Sequence, residues 1–411
     1  MGSGKINILV FNCGSSSLTY KLFELDDRGD TQAILSGKAT RVGVKGTEPS
    51  RIRTQQGDDI TEKTIPIHDH RKAAALALRY VADHGIYVDC VGHRFVHGGS
   101  YFQQSVFVNE QTLETLKLCQ PLAPIHNPTS LSVIEECRRK LGEVRQYVAF
   151  DSAYHSSIPE VAYRYALPKR ITDKFGFRKY GFHGLSYSYV VKEAARFLHM
   201  PLEGLRIVAC HLGTGGSSTV AIRDGRSIDT SMGYTPLSGL VMSTRCGDVD
   251  PMLAIYLSTA YGYRSEDLMD LFSKRSGLLG ISGFSSDITD LLAETSGKEK
   301  EQAELALNMY VHRLRKYVGS YVLELGGIDV LLFTDDIGVR SWQVRASVCQ
   351  GMEWCGLELD EQLNHQASPD AISSIESKTS KTRILSVPTN EELVICMEGV
   401  KLIGNRNDSD L

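Results

Sequence analysis

Two stretches of the chain share one pattern of apolar and polar positions. Ile6 to Asn12 is a short apolar run ending in Cys13-Gly14-Ser15-Ser16-Ser17, and the chain resumes as the alternating Leu18-Thr19-Tyr20-Lys21-Leu22-Phe23. This predicts strand, tight polar turn, strand. The same grammar returns where Arg206 to Cys210 leads into His211-Leu212-Gly213-Thr214-Gly215-Gly216-Ser217-Ser218 and Thr219-Val220-Ala221-Ile222, with a further turn at Asp224-Gly225. Two related openings predict an internal duplication. Each turn offers backbone N–H groups to phosphate oxygens, or is simply a tight hairpin. Between and after them helix-like and strand-like segments alternate, which predicts an α/β fold. Leu307, Val311, Leu314, Val318, Tyr321 and Leu325 recur at helical spacing, predicting a helix from about Glu301 to Leu325 that stops at Gly326-Gly327. Ile328 to Thr334 reads as a buried strand, and Asp335-Asp336-Ile337-Gly338 follows its carboxyl end, where open α/β sheets bind ligands. Ser373 to Arg383 reads as a surface crossing. Glu392 to Cys396 reads as a last strand feeding a helix that returns to an earlier domain.

Composition narrows the function. The 411 residues suit two or three domains, and 42% hydrophobic with 23% charged residues excludes a disordered or collagen-like chain. Lys+Arg 45 against Asp+Glu 49 is too balanced for a general nucleic-acid binder, so anion recognition must come from local charges. No apolar run approaches the ~20 residues of a membrane span, and Met1 to Lys5 leads into a strand without a signal-type apolar region, so a cytoplasmic protein is expected. The nine cysteines form no CxxC pair or zinc-type cluster and read as reduced, packed thiols.

Two short motifs fail on spacing. Gly2-Ser3-Gly4-Lys5 lacks the preceding strand and full length of a P-loop, and Gly184-Leu185-Ser186-Tyr187-Ser188 lacks the final Gly of a nucleophile elbow. A serine hydrolase using His97-Gly98-Gly99 is therefore a weak rival. Gly92-His93-Arg94-Phe95-Val96-His97-Gly98-Gly99 and Thr244-Arg245-Cys246-Gly247-Asp248 each place an Arg beside Gly, and two such forks form an anion clamp. His183, in Tyr180-Gly181-Phe182-His183-Gly184, is a structural or an anion-binding imidazole. Asp151, after Tyr147-Val148-Ala149-Phe150, and Glu391 are candidate Mg²⁺ carboxylates or helix caps.

Asn12 with Cys13-Gly14-Ser15-Ser16-Ser17, the Gly92–Gly99 loop, Leu122-Ala123-Pro124-Ile125-His126-Asn127-Pro128, Tyr180-Gly181-Phe182-His183-Gly184, Asp229-Thr230-Ser231-Met232-Gly233, Thr244-Arg245, Ser276-Gly277-Leu278-Leu279-Gly280 and Pro388-Thr389-Asn390-Glu391-Glu392 together resemble the acetate kinase family, in order and over nearly the whole chain. The resemblance implies a duplicated RNase H-like fold of the acetate and sugar kinase, Hsp70 and actin superfamily. It implies an N-terminal domain of residues 1–152 plus 384–411, a C-terminal domain of residues 153–383 carrying the nucleotide-type subsite, an interdomain cleft and a homodimer. By position, Arg94 and Arg245 would hold the phosphoryl group, His183 its oxygens, and Asn12 and Glu391 Mg²⁺ (or Mn²⁺). Asp151 would be catalytic. Ser15, Ser17, His126, His211, Gly213, Thr214 and Gly215 would support phosphate, and Arg94, Val96, Ile125, Phe182 and Pro236 would hold a two- or three-carbon acid. A carboxylate with a pKa near ~4–5 is already a nucleophile at pH 7, so the chemical task is to bring anions together and stabilise an in-line transition state. Asp151 then reads as an orienter of metal or arginine.

The departures from the family fall in one subsite. ATP-using members carry a Gly-rich Phe-Thr-Gly-Gly-Ile-Gly-Glu-Asn turn, where this chain has Phe333-Thr334-Asp335-Asp336-Ile337-Gly338-Val339-Arg340. Asp287-Ile288-Thr289 lacks an expected arginine, and Thr214 replaces an Asn. A carboxylate about 5 Å from a phosphate costs roughly 3 kcal/mol at an effective dielectric near 20, unless the aspartate simply caps a helix. The pattern is similar to the family's pyrophosphate-using branch, which interconverts acetyl phosphate and phosphate with acetate and pyrophosphate. The expectation is an acetate kinase-type phosphotransferase with an altered adenosine site. The alternatives are a conventional ATP-dependent acetate or propionate kinase, or a non-catalytic sensor of acetyl phosphate or phosphate.

Overall fold

The computed structural model describes residues 5–407 apart from 27, 28, 45, 47, 294 and 295, so the Gly2-Ser3-Gly4 motif lies outside the described residues. Two compact units are formed, by residues 1–154 with 390–411 and by residues 155–389.

The first unit is built on strands β1 (Ile6–Cys13), β2 (Ser17–Leu25), β3 (Thr31–Thr40), β4 (Arg51–Gln56), β5 (Asp59–Thr64), β6 (Cys90–Phe95), β7 (Val106–Phe107) and β8 (Arg145–Phe150), in the order β5-β4-β3-β2-β1-β6-β8-β7. β1 runs antiparallel to β2 and parallel to β6, which is parallel to β8. Alternation decides the faces. Leu18, Tyr20 and Leu22 join Leu9 and Phe11 against Ala73 and Ala77 of the helix His70–Asp83 and Val133 of the helix Asn127–Leu141. The helix Glu391–Asn407 packs on β1, β6 and β8. There Gly92 and Gly399 flank the buried Tyr147 ring, whose hydroxyl donates to Ile395 O at 2.7 Å; a Cβ on either glycine would meet the ring 2.4 Å away.

The second unit repeats this plan with β9 (Arg206–Gly213), β10 (Gly216–Arg223), β11 (Arg226–Thr230), β12 (Val330–Thr334), β13 (Ser373–Ser374) and β14 (Arg383–Ser386), in the order β11-β10-β9-β12-β14-β13. Again an antiparallel hairpin, β9–β10, is followed by parallel neighbours, β12 and β14. The duplication expected from the two openings is therefore present in both sheets. The helix Gly297–Leu325 seats Ala303, Tyr310, Leu314, Val318 and Tyr321 against Val208, Cys210, Leu331 and Phe333. Truncating one such leucine costs about 2–5 kcal/mol.

Five features differ from the sequence reading. The long helix starts at Gly297, because its first turn is exposed and polar and carries no apolar signal. β12 starts at Val330, because Asp329 turns aside to accept from Arg206 N and Nη2, at 2.9 and 2.7 Å. Residues 373–383 include β13 and the fully buried Ile375, so this segment is partly core. Glu392 to Cys396 is helical, its β-branched residues overridden by burial of Ile395 and Cys396. The chain crosses to the first unit near residue 390 rather than 384, because β14 pairs with β12.

Candidate functional site

In the first unit the polar residues gather at the carboxyl ends of three mutually parallel strands. Asn12 is near the end of β1, Arg94 near the end of β6, and Asp151 directly follows β8. The Asp151 carboxylate is fully buried and accepts from Arg94 Nε at 3.0 and 3.2 Å and from Nη2 at 2.6 Å. Arg94 Nη1 donates to Asn12 Oδ1 at 3.1 Å and lies 3.9 Å from Glu391. Burial works against the Arg94 charge, but Asp151 and Glu391 outweigh it and hold the guanidinium above its usual pKa. Asn12 Nδ2 donates to Glu391 at 2.9 Å and Glu392 at 2.8 Å. Two carboxylates and an amide are hard oxygen donors suited to Mg²⁺, which keeps several waters. Among the described residues no group of three or more His, Cys, Asp or Glu forms a metal cluster.

The loops around this cluster are fastened from behind. Asn127 Nδ2 donates to His97 O at 3.0 Å and Cys119 O at 2.7 Å, which ties the Gly92–Gly99 loop to the helix that His126 precedes. At the β1–β2 turn, Gly14 N donates to Ser17 O at 2.9 Å, and His70 Nε2 lies 2.9 Å from Gly14 O. Burial lowers the His70 pKa against the pull of these carbonyls. Ser15 is exposed; Val96 is buried and Ile125 exposed.

The second unit gathers its own cluster. His183 sits at φ 59° before the helix Gly184–Leu198. Its Nδ1 is 2.8 Å from Ser218 Oγ, which is 2.7 Å from the Tyr187 hydroxyl. The ring stacks on His211 at 4.0 Å between centroids. His211 Nδ1 lies 2.9 Å from Ser186 Oγ, and Nε2 lies 3.0 Å from Asp335 Oδ2. Ser186, His211 and Asp335 thus follow the order of a hydrolase triad, but Ser186 is fully buried and orients His211 instead of offering a nucleophile.

Gly216, at φ 153°, leaves room for two side chains: a Cβ there would lie 3.0 Å from Arg245 Nη1 and 3.6 Å from His183 Nε2. Arg245 donates to Pro236 O at 3.1 Å, and burial lowers its pKa. Among the described residues no carboxylate lies within ion-pair distance of Arg245. Phe182 is buried and its carbonyl lies 2.9 Å from His155 Nε2.

Neither aspartate is the N-cap residue of the short helix Asp335–Arg340, which is Thr334, although Asp336 Oδ1 accepts from Ile337 N at 2.8 Å in its first turn. Asp336 accepts from Thr214 N at 2.9 Å and Thr214 Oγ1 at 2.7 Å, closing the β9–β10 turn. Asp335 takes a left-handed φ of 64° and stands so close to Gly213 that a Cβ there would meet Oδ2 at 1.9 Å. Beyond this turn lies a cavity of about 740 Å³ lined by Thr214, Asp287, Thr289, Asp336, Arg340 and Trp342, among others. It unites most of the residues read as an altered nucleotide subsite, although Asp335 and Gly338 do not line it. Asp287 caps its helix by accepting from Thr289 N at 2.7 Å.

Residues 7–397 match the model of the acetokinase family. The chain belongs to this family. It is 42% identical to an acetate kinase of Dictyoglomus thermophilum over 98% of this chain and 100% of that relative, and 39% identical to acetate kinase 2 of Clostridium perfringens over 97% and 100%. Among solved structures, an acetate kinase from Entamoeba histolytica superposes with a TM-score of 0.86 at 42% identity, covering 96% of this chain and 99% of that one. A propionate kinase from Francisella tularensis gives 0.86 at 34% identity, covering 96% and 98%. The family and the duplicated two-domain α/β fold are thus established.

Sequence reasoning missed Ser186, Tyr187 and Ser218 as supports of the two histidines, Trp342 as a cavity wall, and Lys21 with Glu392 beside Asn12. Ser186 and Tyr187 stood in the rejected elbow motif. Ser218 stood in the second Gly/Ser turn, Lys21 in the alternating first hairpin and Glu392 in the Pro388–Glu392 motif, and Trp342 carried no local signal.

Proposed function

We propose that the chain transfers a phosphoryl group between a short carboxylic acid, acetate or propionate, and an inorganic partner, with pyrophosphate and phosphate as the second pair. The uncompensated Arg245 guanidinium carries this reading: a half-buried cation beside His183, without a carboxylate partner among the described residues, suits a substrate oxyanion. In the first unit, Arg94 is committed to Asp151 and Asn12, and this fixes its fork for a second anion. Asn12, Glu391 and Glu392 would hold Mg²⁺ or Mn²⁺, which when bound neutralises phosphate charge.

The inorganic partner is supported by Asp335 and Asp336. Asp336 occupies the Thr214 N–H that a nucleotide phosphate would take, and Asp335 adds negative charge beside it. A second reading, an ATP-dependent acetate kinase, is favoured by the 740 Å³ cavity with Trp342 in its wall, large enough for a nucleoside, and by relatives named simply acetate kinase. Acyl hydroxamate formation from acetate, run separately with pyrophosphate and with ATP, tests both. Turnover with neither would leave the sensor reading.

A homodimer in the cytoplasm completes the proposal. The helix Pro251–Tyr261 exposes Met252, Leu253, Ile255, Tyr256 and Tyr261, an apolar face that a second copy would cover. Among the described residues no helix is long and apolar enough to cross a membrane, and the near-neutral charge balance argues against nucleic acid as a partner.

A further inference from the structure

The sheet of the first unit has an open polar face beyond the helix Glu391–Asn407. On β2, β3 and β4 the residues that point away from the Leu18–Tyr20–Leu22 core face are Thr19 and Lys21, Ser36 and Lys38, and Arg53 and Gln55. They line a basin of about 220 Å³ with Gly37. Lys38 and Arg53 stand directly opposite each other in the antiparallel register. Like charges so placed repel. Glu62, the β5 neighbour of Arg53, lies 4.0 Å from Arg51 instead, and among the described residues neither Lys38 nor Arg53 has a carboxylate within ion-pair distance.

We infer that this basin is a second anion site, distinct from the Arg245 cluster, that takes a phosphate group between Lys38, Arg53 and Lys21. The chemistry fits: two unpaired cations supply charge, the Arg53 fork suits a tetrahedral oxyanion, and the Thr19 and Ser36 hydroxyls and the Gln55 amide offer neutral donors. Lys21 joins the site to the first-unit cluster. It pairs with Glu392 at 3.0 Å, and Glu392 accepts from Asn12. An anion in the basin competes with Glu392 for Lys21 and so reports phosphate concentration to the carboxylates beside Asn12. By linkage, neutralising Glu392 frees Lys21 and tightens the anion.

The test is titration of the full chain with inorganic phosphate by calorimetry and ³¹P NMR at constant ionic strength. Wild type is expected to take two phosphates and Lys38→Ala/Arg53→Ala one, binding at the basin weakening at least about tenfold. Both substitutions are on the surface and remove a repulsion, so the variant is expected to melt no lower than wild type; Arg53→Gln alone repeats the test with less change to the fold. Glu392→Gln should tighten the basin site. Equal stoichiometry and affinity in wild type and double variant would overturn the site, as would equal displacement by chloride. Arg245→Ala is the separate control: loss of the other phosphate there tests the proposed function and leaves the basin untouched.

Discussion

Arg94 grips Asp151 through Nε and Nη2, with the carboxylate fully buried and the guanidinium side chain only 14% exposed. Removing one partner of such a pair leaves an unpaired buried charge at a cost of about 3–5 kcal/mol. Arg94→Ala is therefore expected to lower the unfolding free energy by that amount in urea melts, and also to slow turnover by two or more orders of magnitude. A mild effect on turnover would show that Arg94 does not clamp substrate.

Arg245 is expected to behave in the opposite way on stability. It is a half-buried cation without a carboxylate within ion-pair distance among the described residues, and burial lowers its pKa, so an apolar replacement of similar length removes a desolvation cost. Arg245→Met should melt at or above the wild-type temperature while turnover falls at least about 100-fold and the KM for the phosphate substrate rises. Calorimetric melting alongside steady-state kinetics separates the two effects.

Acid should weaken the first unit through His93. This ring is fully buried, stacked on Phe11, and bonded through Nε2 to Gln146 Oε1 at 2.7 Å. Burial lowers its pKa to about 4. Between that value and the ordinary 6.5, the unfolded chain takes up a proton that the folded chain refuses. The stability from neutral His93 is thus fully present above pH ~6.5 and falls by about 3 kcal/mol as the pH drops to 4. His70, lowered in the same direction, adds to the loss. Urea melts from pH 7 to 4 measure the slope, and His93→Gln should flatten it.

The exposed apolar helix gives an assembly prediction. Ile255→Asp, with Ile255 half exposed in the single chain, should shift the mass measured by light scattering from dimer to monomer. A wild-type monomer at micromolar concentration would contradict the dimer.

Local signals in the sequence revealed much of this molecule. The two Gly/Ser hairpins, the helix ending at Leu325 and the Arg94 and Arg245 loops were all visible because turn chemistry and apolar spacing are local. The helix Glu391–Asn407 was misread at Leu393-Val394-Ile395-Cys396, since a short β-branched run has no period long enough to distinguish strand from helix. The His211–Asp335 contact could not be seen, because it depends on β9 and β12 lying side by side although far apart in sequence. The same holds for Asp336, which besides its local contact with Ile337 N accepts from Thr214 N and so locks the β9–β10 turn from across the sheet.

The choice of phosphoryl partner is the central claim, and the ratio of kcat/KM with pyrophosphate to that with ATP tests it most directly. Wild type should favour pyrophosphate by at least about 100-fold, and Asp335→Gly/Asp336→Gly should raise kcat/KM for ATP by about tenfold or more. The change at 335 is compatible with folding, because glycine is at ease at the left-handed φ of 64° that Asp335 adopts. A wild-type ratio favouring ATP, unchanged by the two glycines, would contradict the account.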